Sequence, residues 1–251
     1  MSIAERYFER WFTVEQSALR ELQLEMLLQL YGRKNQLVFK GGTALDLFHG
    51  SGRFSEDLDF DCQAMDGLLE INKAVDGIKK DGKYSIYNKW DLEREMHNRF
   101  IRYNVRISSK EWEHVANLVI DLTVDKPMYP PNRIPLKYKD SVVSVNVMQL
   151  QEILAEKVCA IMGRKKARDL YDLHFLAITK RVPINLKDIY EKCEMFAATF
   201  PKAEQYSYKT FEARVNGLKG SWRELSPLLE STKGRSFAYI SSGVLDAFRS
   251  L

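Results

Sequence analysis

Cysteine is scarce and without pattern in this chain. Cys62, Cys159 and Cys193 are the only three in 251 residues, widely separated and with no CxxC pair. That excludes a disulfide framework or a zinc knuckle and leaves buried free thiols as the expectation. Four histidines, His49, His97, His114 and His174, show no metal-ligand spacing and are read as surface or core. Long apolar runs are missing too: none approaches the roughly 18 residues of a membrane-spanning helix. The opening MSIAERYFERWF scatters charges among its apolar residues where a signal peptide would carry a hydrophobic core. The expectation is a cytoplasmic protein with no membrane contact. There is no internal repeat or low-complexity tract. Charge of one sign is also modest: 38 Lys and Arg against 34 Asp and Glu give a net +4, compatible with an anionic partner but leaving local clusters to decide. What the chain does have is 45% hydrophobic and 12% aromatic content, enough to bury a full core. Trp90, Trp112 and Trp222 are assigned to that packing.

The most informative segment is Lys40 to Asp61, KGGTALDLFHGSGRFSEDLDFD. Leu58 and Phe60 alternate with Asp57, Asp59 and Asp61, the pattern of a half-buried strand, so the three carboxylates are predicted to project from one face. Same-face neighbours lie about 6.7 Å apart along a strand, close enough to converge on one or two hard cations. Without a cation they repel: two charges about 4 Å apart interact by about 4 kcal/mol at an effective dielectric of 20. Upstream, Gly41 and Gly42 sit between a short strand candidate, Gln36 to Lys40, and a short helix. Glycines at such a turn let the backbone approach a phosphate, and the helix N-terminus attracts its charge. Lys40 and Arg53 add positive side chains. Thr43 is read as a helix cap and Ser55 as a turn residue, each with a phosphate contact as the second reading.

Further strands are predicted at Tyr84 to Tyr87, Phe100 to Ile107, Val115 to Val124 and Val142 to Val147, and helices at Ile3 to Leu30 and Met65 to Lys80, giving a mixed or antiparallel sheet. Within ANLVIDLTVDK, Asp121 alternates with apolar neighbours and is a candidate third carboxylate; Asp125, on the same face beside Pro127, competes with it. KPMYPPNRIP, Lys126 to Pro135, reads as a break. From Gln149 on the pattern is helical, so residues 1–148 are predicted as a sheet-containing domain and 149–251 as a helical one. That second part carries AEKVCAIMGRKKARDLYDL. Lys157, among Val158, Ala160 and Ile161, needs an anion, either a nucleotide phosphate or Asp172. Arg164, Lys165, Lys166 and Arg168 form a basic turn, and Asp169 opens the next helix.

GGTALDLF, RFSEDLDF and LAEKVCAIMGRKKARDLYDL together resemble the AbiEii/AbiGii family of nucleotidyltransferase toxins, which includes the MenT-like toxins of type IV toxin–antitoxin systems. Threonine follows the second glycine where many related transferases have serine after one glycine. The resemblance implies an α+β architecture: a DNA polymerase β-like nucleotidyltransferase fold followed by a helical C-terminal domain. It implies a toxin that uses Mg²⁺, with Mn²⁺ as an alternative, to transfer a nucleoside monophosphate from an NTP to an acceptor such as the tRNA 3′ end or another RNA, and a cognate antitoxin as partner. By this likeness Asp57, Asp59 and Asp121 are catalytic and hold metal, Lys157 neutralises phosphate charge, and Asp172 orients Lys157 or meets the acceptor. Lys40, Gly41, Gly42, Thr43, Arg53, Ser55 and Asp169 are assigned to the nucleotide, and Arg164, Lys165, Lys166 and Arg168 to the nucleic-acid backbone. Rival readings are a transferase acting on a protein or small molecule, and a catalytically silent RNA- or protein-binding module of the same fold.

Overall fold

A computed structural model describes residues 11–33, 36–62, 67–86, 91–94, 100–110, 115–199, 204–230 and 235–249. His97, His114, Trp90 and Trp112 lie outside the described residues. The chain divides into two compact units, Met1–His49 with Phe54–Met148, and Gly50–Arg53 with Gln149–Leu251. The short insert Gly50–Arg53 therefore belongs with the helices although the sheet flanks it in sequence.

In the first unit, α1 (Val14–Tyr31) starts at a capping box in which Thr13 and Gln16 exchange side-chain-to-backbone hydrogen bonds of 2.9 and 3.1 Å. Leu19, Leu22, Met26, Leu27 and Leu30 recur at helical spacing and are all buried, which is why the segment packs as a helix on the sheet. The sheet contains, among the described residues, β1 (Val38–Lys40), β2 (Leu58–Cys62), β3 (Tyr84–Ile86), β4 (Asp91–Arg94), β5 (Phe100–Ser109), β6 (Ala116–Val124), β7 (Asn132–Tyr138) and β8 (Ser141–Val147), with α2 (Gly41–His49) and α3 (Gly67–Lys80) between them. Strand order is β3-β5-β6-β2-β1-β8-β7, and β4 also pairs with β5. The pairs β2–β6 and β1–β8 are parallel and the rest antiparallel, so the sheet is mixed.

Two elements escape the sequence pattern. β4 was unassigned, and β7 falls largely inside the proline-rich passage read as a break. β7 is an edge strand, where Pro135 can stand opposite Ser144 without leaving a ladder carbonyl unserved. A third difference is local to the motif: β2 begins at Leu58, so Asp57 precedes the strand. The three aspartates are also not equivalent, because Asp61 is fully buried while Asp57 and Asp59 are half-buried.

The second unit holds α4 (Leu150–Gly163), α5 (Ala167–His174) continued by a π-helical turn at Phe175–Thr179, α6 (Leu186–Thr199), α7 (Tyr208–Asn216), a 3-10 stretch at Gly217–Leu228 and α8 (Phe237–Arg249). α4 and α6 pack together through Lys192, which is 4% exposed and lies 2.6 Å from Glu152 and 3.4 Å from Glu156. Cys159 on α4 and Cys193 on α6 are joined in a disulfide, with Cα atoms 5.1 Å apart. This corrects the expectation of three free thiols, since two cysteines 34 residues apart give no sequence signal until helix packing makes them neighbours. Cys62 is free and buried. Trp222 packs edge-on against Phe237, centroids 5.6 Å apart, as its assignment to packing requires.

Candidate active site

Across β1, β2, β6 and β5 the sheet aligns four charged residues in one row. Lys40 of β1 pairs with Asp59 of β2, Asp59 with Asp121 of β6, and Asp121 with Arg102 of β5. Residues in register on neighbouring strands share a face and lie about 4.8 Å apart, so the row reads plus, minus, minus, plus. Arg102 donates from Nε and Nη2 to the two carboxylate oxygens of Asp121, both at 2.8 Å. Lys40 Nζ lies 2.6 Å from Asp61 Oδ1, the buried aspartate two positions beyond Asp59. The two central carboxylates are thus flanked by cations that offset part of their repulsion and leave an acidic centre. Asp125 has a different place: its N–H donates to the Cys62 carbonyl at 2.8 Å and its carboxylate accepts from the Lys126 N–H at 2.8 Å, which closes the end of β6.

Gly41 and Gly42 are the first residues of α2. Gly41 has φ of 75°, and a Cβ added there would collide with the Asp59 carboxylate. Only glycine meets both conditions, a left-handed backbone and a side chain from the next strand pressed against it. The Asp59 carboxylate therefore stands against the first residue of α2, where free N–H groups and the helix dipole favour negative charge. Thr43 is fully buried and its hydroxyl donates to the Asp57 carbonyl. It ties the helix to the residue before β2 and does not face solvent. Ser55 is 5% exposed.

Among the described residues no group of three or more His, Cys, Asp or Glu side chains stands ready to hold a metal. Both oxygens of Asp121 are engaged by Arg102. The donor set at Asp57 and Asp59 still fits a hard cation: Mg²⁺ keeps much of its hydration and is held by one or two carboxylates together with substrate phosphates.

In the helical unit a second cluster lies around Lys157. Its Nζ stands 3.2 Å from Asp169 Oδ1 and 2.8 Å from Asp172 Oδ2. Arg53 donates to both oxygens of Asp172 at 2.8 and 2.9 Å, and Arg164 to both oxygens of Asp169 at 2.9 and 3.0 Å. Asp169 and Asp172 are fully buried and Arg53 is 1% exposed. Burial by itself would raise both carboxyls, yet Arg164 and Lys157 hold Asp169 well below the usual carboxylate range, and Arg53 and Lys157 do the same for Asp172. Three cations, Arg53, Lys157 and Arg164, thus close around two anions. Arg53 and Asp169 thus sit inside the ion network and not on an open nucleotide surface. Of the basic turn, Lys165 and Lys166 are exposed, Arg164 is turned onto Asp169, and Arg168 is half-buried. Tyr171 donates its hydroxyl to the Ser51 carbonyl at 3.0 Å, so the DLYDL segment holds both Ser51 and Arg53.

A family model described as nucleotidyl transferase AbiEii toxin, type IV TA system, matches residues 24–232 of this chain. The chain belongs to the AbiEii family. Similar solved structures include a candidate nucleotidyltransferase from H. pylori, at 23% identity over 96% of this chain and 97% of that one with a TM-score of 0.65. JHP933 from Helicobacter pylori matches at 22% identity over 96% and 94%, TM-score 0.64. MenT4, a nucleotidyltransferase toxin from Mycobacterium tuberculosis H37Rv, matches at 20% identity over 92% of each chain, TM-score 0.50. At these identities the likeness is one of fold, and it is the nucleotidyltransferase fold. No curated protein sequence matches significantly. This AbiEii chain is therefore a nucleotidyltransferase of the toxin–antitoxin class, which implies an NTP substrate and a cognate antitoxin. Among the described residues no helix is long and apolar enough to cross a membrane.

One residue of the AbiEii carboxylate site was missed in the sequence. Arg102, in FIRYNVRI, alternates like any exposed strand residue. Only the β5–β6 register makes it the partner of Asp121.

Proposed function

We propose that the enzyme transfers a nucleoside monophosphate from an NTP to the 3′ hydroxyl of tRNA, in a reaction that depends on Mg²⁺ or Mn²⁺. The observation that carries this reading is the in-register row Lys40, Asp59, Asp121, Arg102 at the N-terminus of α2. Asp57 and Asp59 would hold the cation, which supplies positive charge against the oxygens that become more negative in the transition state. Gly41 and Gly42 present backbone N–H groups to the triphosphate, with Lys40 adding charge nearby. The acceptor oxygen bonds to the α-phosphorus as the bond to the β-phosphate oxygen breaks. Pyrophosphate leaves, and the hydroxyl proton passes to a carboxylate, a role we assign to Asp121 once Arg102 yields one oxygen. In the helical unit Lys157 carries the charge that neutralises phosphate, with Asp172 orienting it and Arg53 and Asp169 supporting the pair. Exposed Lys165 and Lys166, with Arg164 and Arg168 beside them, suit a nucleic-acid backbone, which they would bind without choosing sequence.

The test is incubation with each α-labelled NTP and separate pools of tRNA, other RNA and protein, with and without EDTA. Label on tRNA that disappears with EDTA, and fails to appear on tRNA whose terminal ribose has been oxidised by periodate, is the expected outcome. Label confined to protein, or transfer indifferent to EDTA, would overturn the proposal.

A further inference from the structure

We infer that Gln23 of α1 is a positioning residue for the metal-binding carboxylates, acting through the backbone of Ser55 and Glu56. Gln23 is fully buried among Leu22, Leu24, Met26 and Leu27, where an amide is costly unless it is bonded. Its Nε2 donates to the Ser55 carbonyl at 3.0 Å and to the Glu56 carbonyl at 2.9 Å. One amide nitrogen thus holds two successive backbone carbonyls just before the strand. Asp57 follows these two residues, and β2 pairing begins at Leu58. The residues that deliver Asp57 therefore lie outside the ladder, and side chains from two helices hold their backbone, Gln23 on Ser55 and Glu56 and Thr43 on the Asp57 carbonyl.

The donor capacity of the Gln23 nitrogen is fully spent, while its Oε1 has no hydrogen-bond partner among the described residues. The position thus asks for a donor and makes no use of an acceptor. Glutamate would set a negative oxygen against two carbonyls, and methionine would leave both carbonyls without a partner. One turn earlier on α1, Arg20 pairs with Asp46 of α2 and lies over the Phe54 ring, 5.0 Å from its centroid. The same helix thus grips the element after the glycine pair through Arg20 and the segment before the aspartates through Gln23. Its function is to fix the spacing between the two halves of the motif.

This inference rests on the reading of Asp57 and Asp59 as metal ligands, and the experiment separates the two. Mn²⁺ affinity is measured by titration calorimetry without NTP, alongside thermal melting and transfer rate, for the wild type, Gln23→Met and Gln23→Glu. The expected result is Mn²⁺ binding weakened about tenfold or more, with a transfer rate that recovers in part as metal is raised, in protein that melts below the wild type but is fully folded at the assay temperature. If Gln23→Met is too unstable to purify, Gln23→Glu gives the same readout in a side chain of the same shape. Wild-type Mn²⁺ affinity in both variants, with any loss of transfer tracking loss of folded protein, would sink the role of Gln23 and leave the carboxylate site standing. A wild type that binds no Mn²⁺ and transfers nothing would instead bring down the carboxylate reading, and this inference with it.

Discussion

At the scale of single residues, Gly41 and Asp59 have to be considered together, because the backbone of one and the carboxylate of the other occupy the same corner. In Gly41→Ala a non-glycine residue must hold φ of 75° and its methyl group must displace Asp59. Strain of this kind costs about 1–3 kcal/mol. The expected outcome is a lowered melting temperature together with loss of nucleotidyl transfer, a double effect that a turn glycine with no close neighbour would not show. Asp59→Asn should separate these effects. It removes one of two like charges in register, so stability should hold or rise slightly, while metal-dependent transfer falls on the order of a hundredfold. A variant that melts early and transfers normally would contradict the assignment.

At the scale of elements, the in-register row exists because β2 and β6 run parallel with Asp59 opposite Asp121, and one residue of slip would turn one carboxylate to the other face. Among the helices, α4 carries Lys157 toward α5 and Cys159 toward α6. The bridge to Cys193 closes a loop of 34 residues, worth about 4 kcal/mol in the chain-entropy account of crosslinks. Melting with and without a dithiol reductant should show the reduced protein unfolding at a lower temperature, and a Cys193→Ser variant should melt at the reduced value in either condition.

For the whole molecule, two solution properties follow from its charges. Asp169 and Asp172 have folded-state values below their unfolded ones. Their contribution to stability is therefore complete above the ordinary carboxylate value near 4 and is lost as pH falls from there through the folded-state values. Denaturant midpoints should be flat near neutrality in respect of these groups and drop below pH of about 4, and Asp172→Asn should flatten part of that drop. The second property is salt dependence. Each cation that neutralises a phosphate of single-stranded RNA adds about 0.7 to the slope of log affinity against log salt. Replacing Lys165 and Lys166 with alanine should lower the slope by about 1.4, twice that increment, and weaken all acceptor sequences alike.

The sequence by itself determined most of the elements and, through the family resemblance, the class of enzyme. Period-2 alternation around Asp59 and Asp121, glycines at the mouth of a short helix, and the lysine helix with DLYDL are local patterns and therefore legible, and it is their resemblance to the AbiEii family that pointed to a nucleotidyltransferase. It did not reveal β7, because proline is read as a break unless the strand is known to lie at an edge. Nor did it reveal which charges meet. Arg102 with Asp121, Lys40 with Asp61, Arg53 with Asp172, Cys159 with Cys193 and Gln23 with the Ser55 and Glu56 carbonyls join residues far apart in the chain. Strand register and helix packing decided those pairings, because side-chain periodicity says which face a residue takes and tertiary contact alone says what stands opposite.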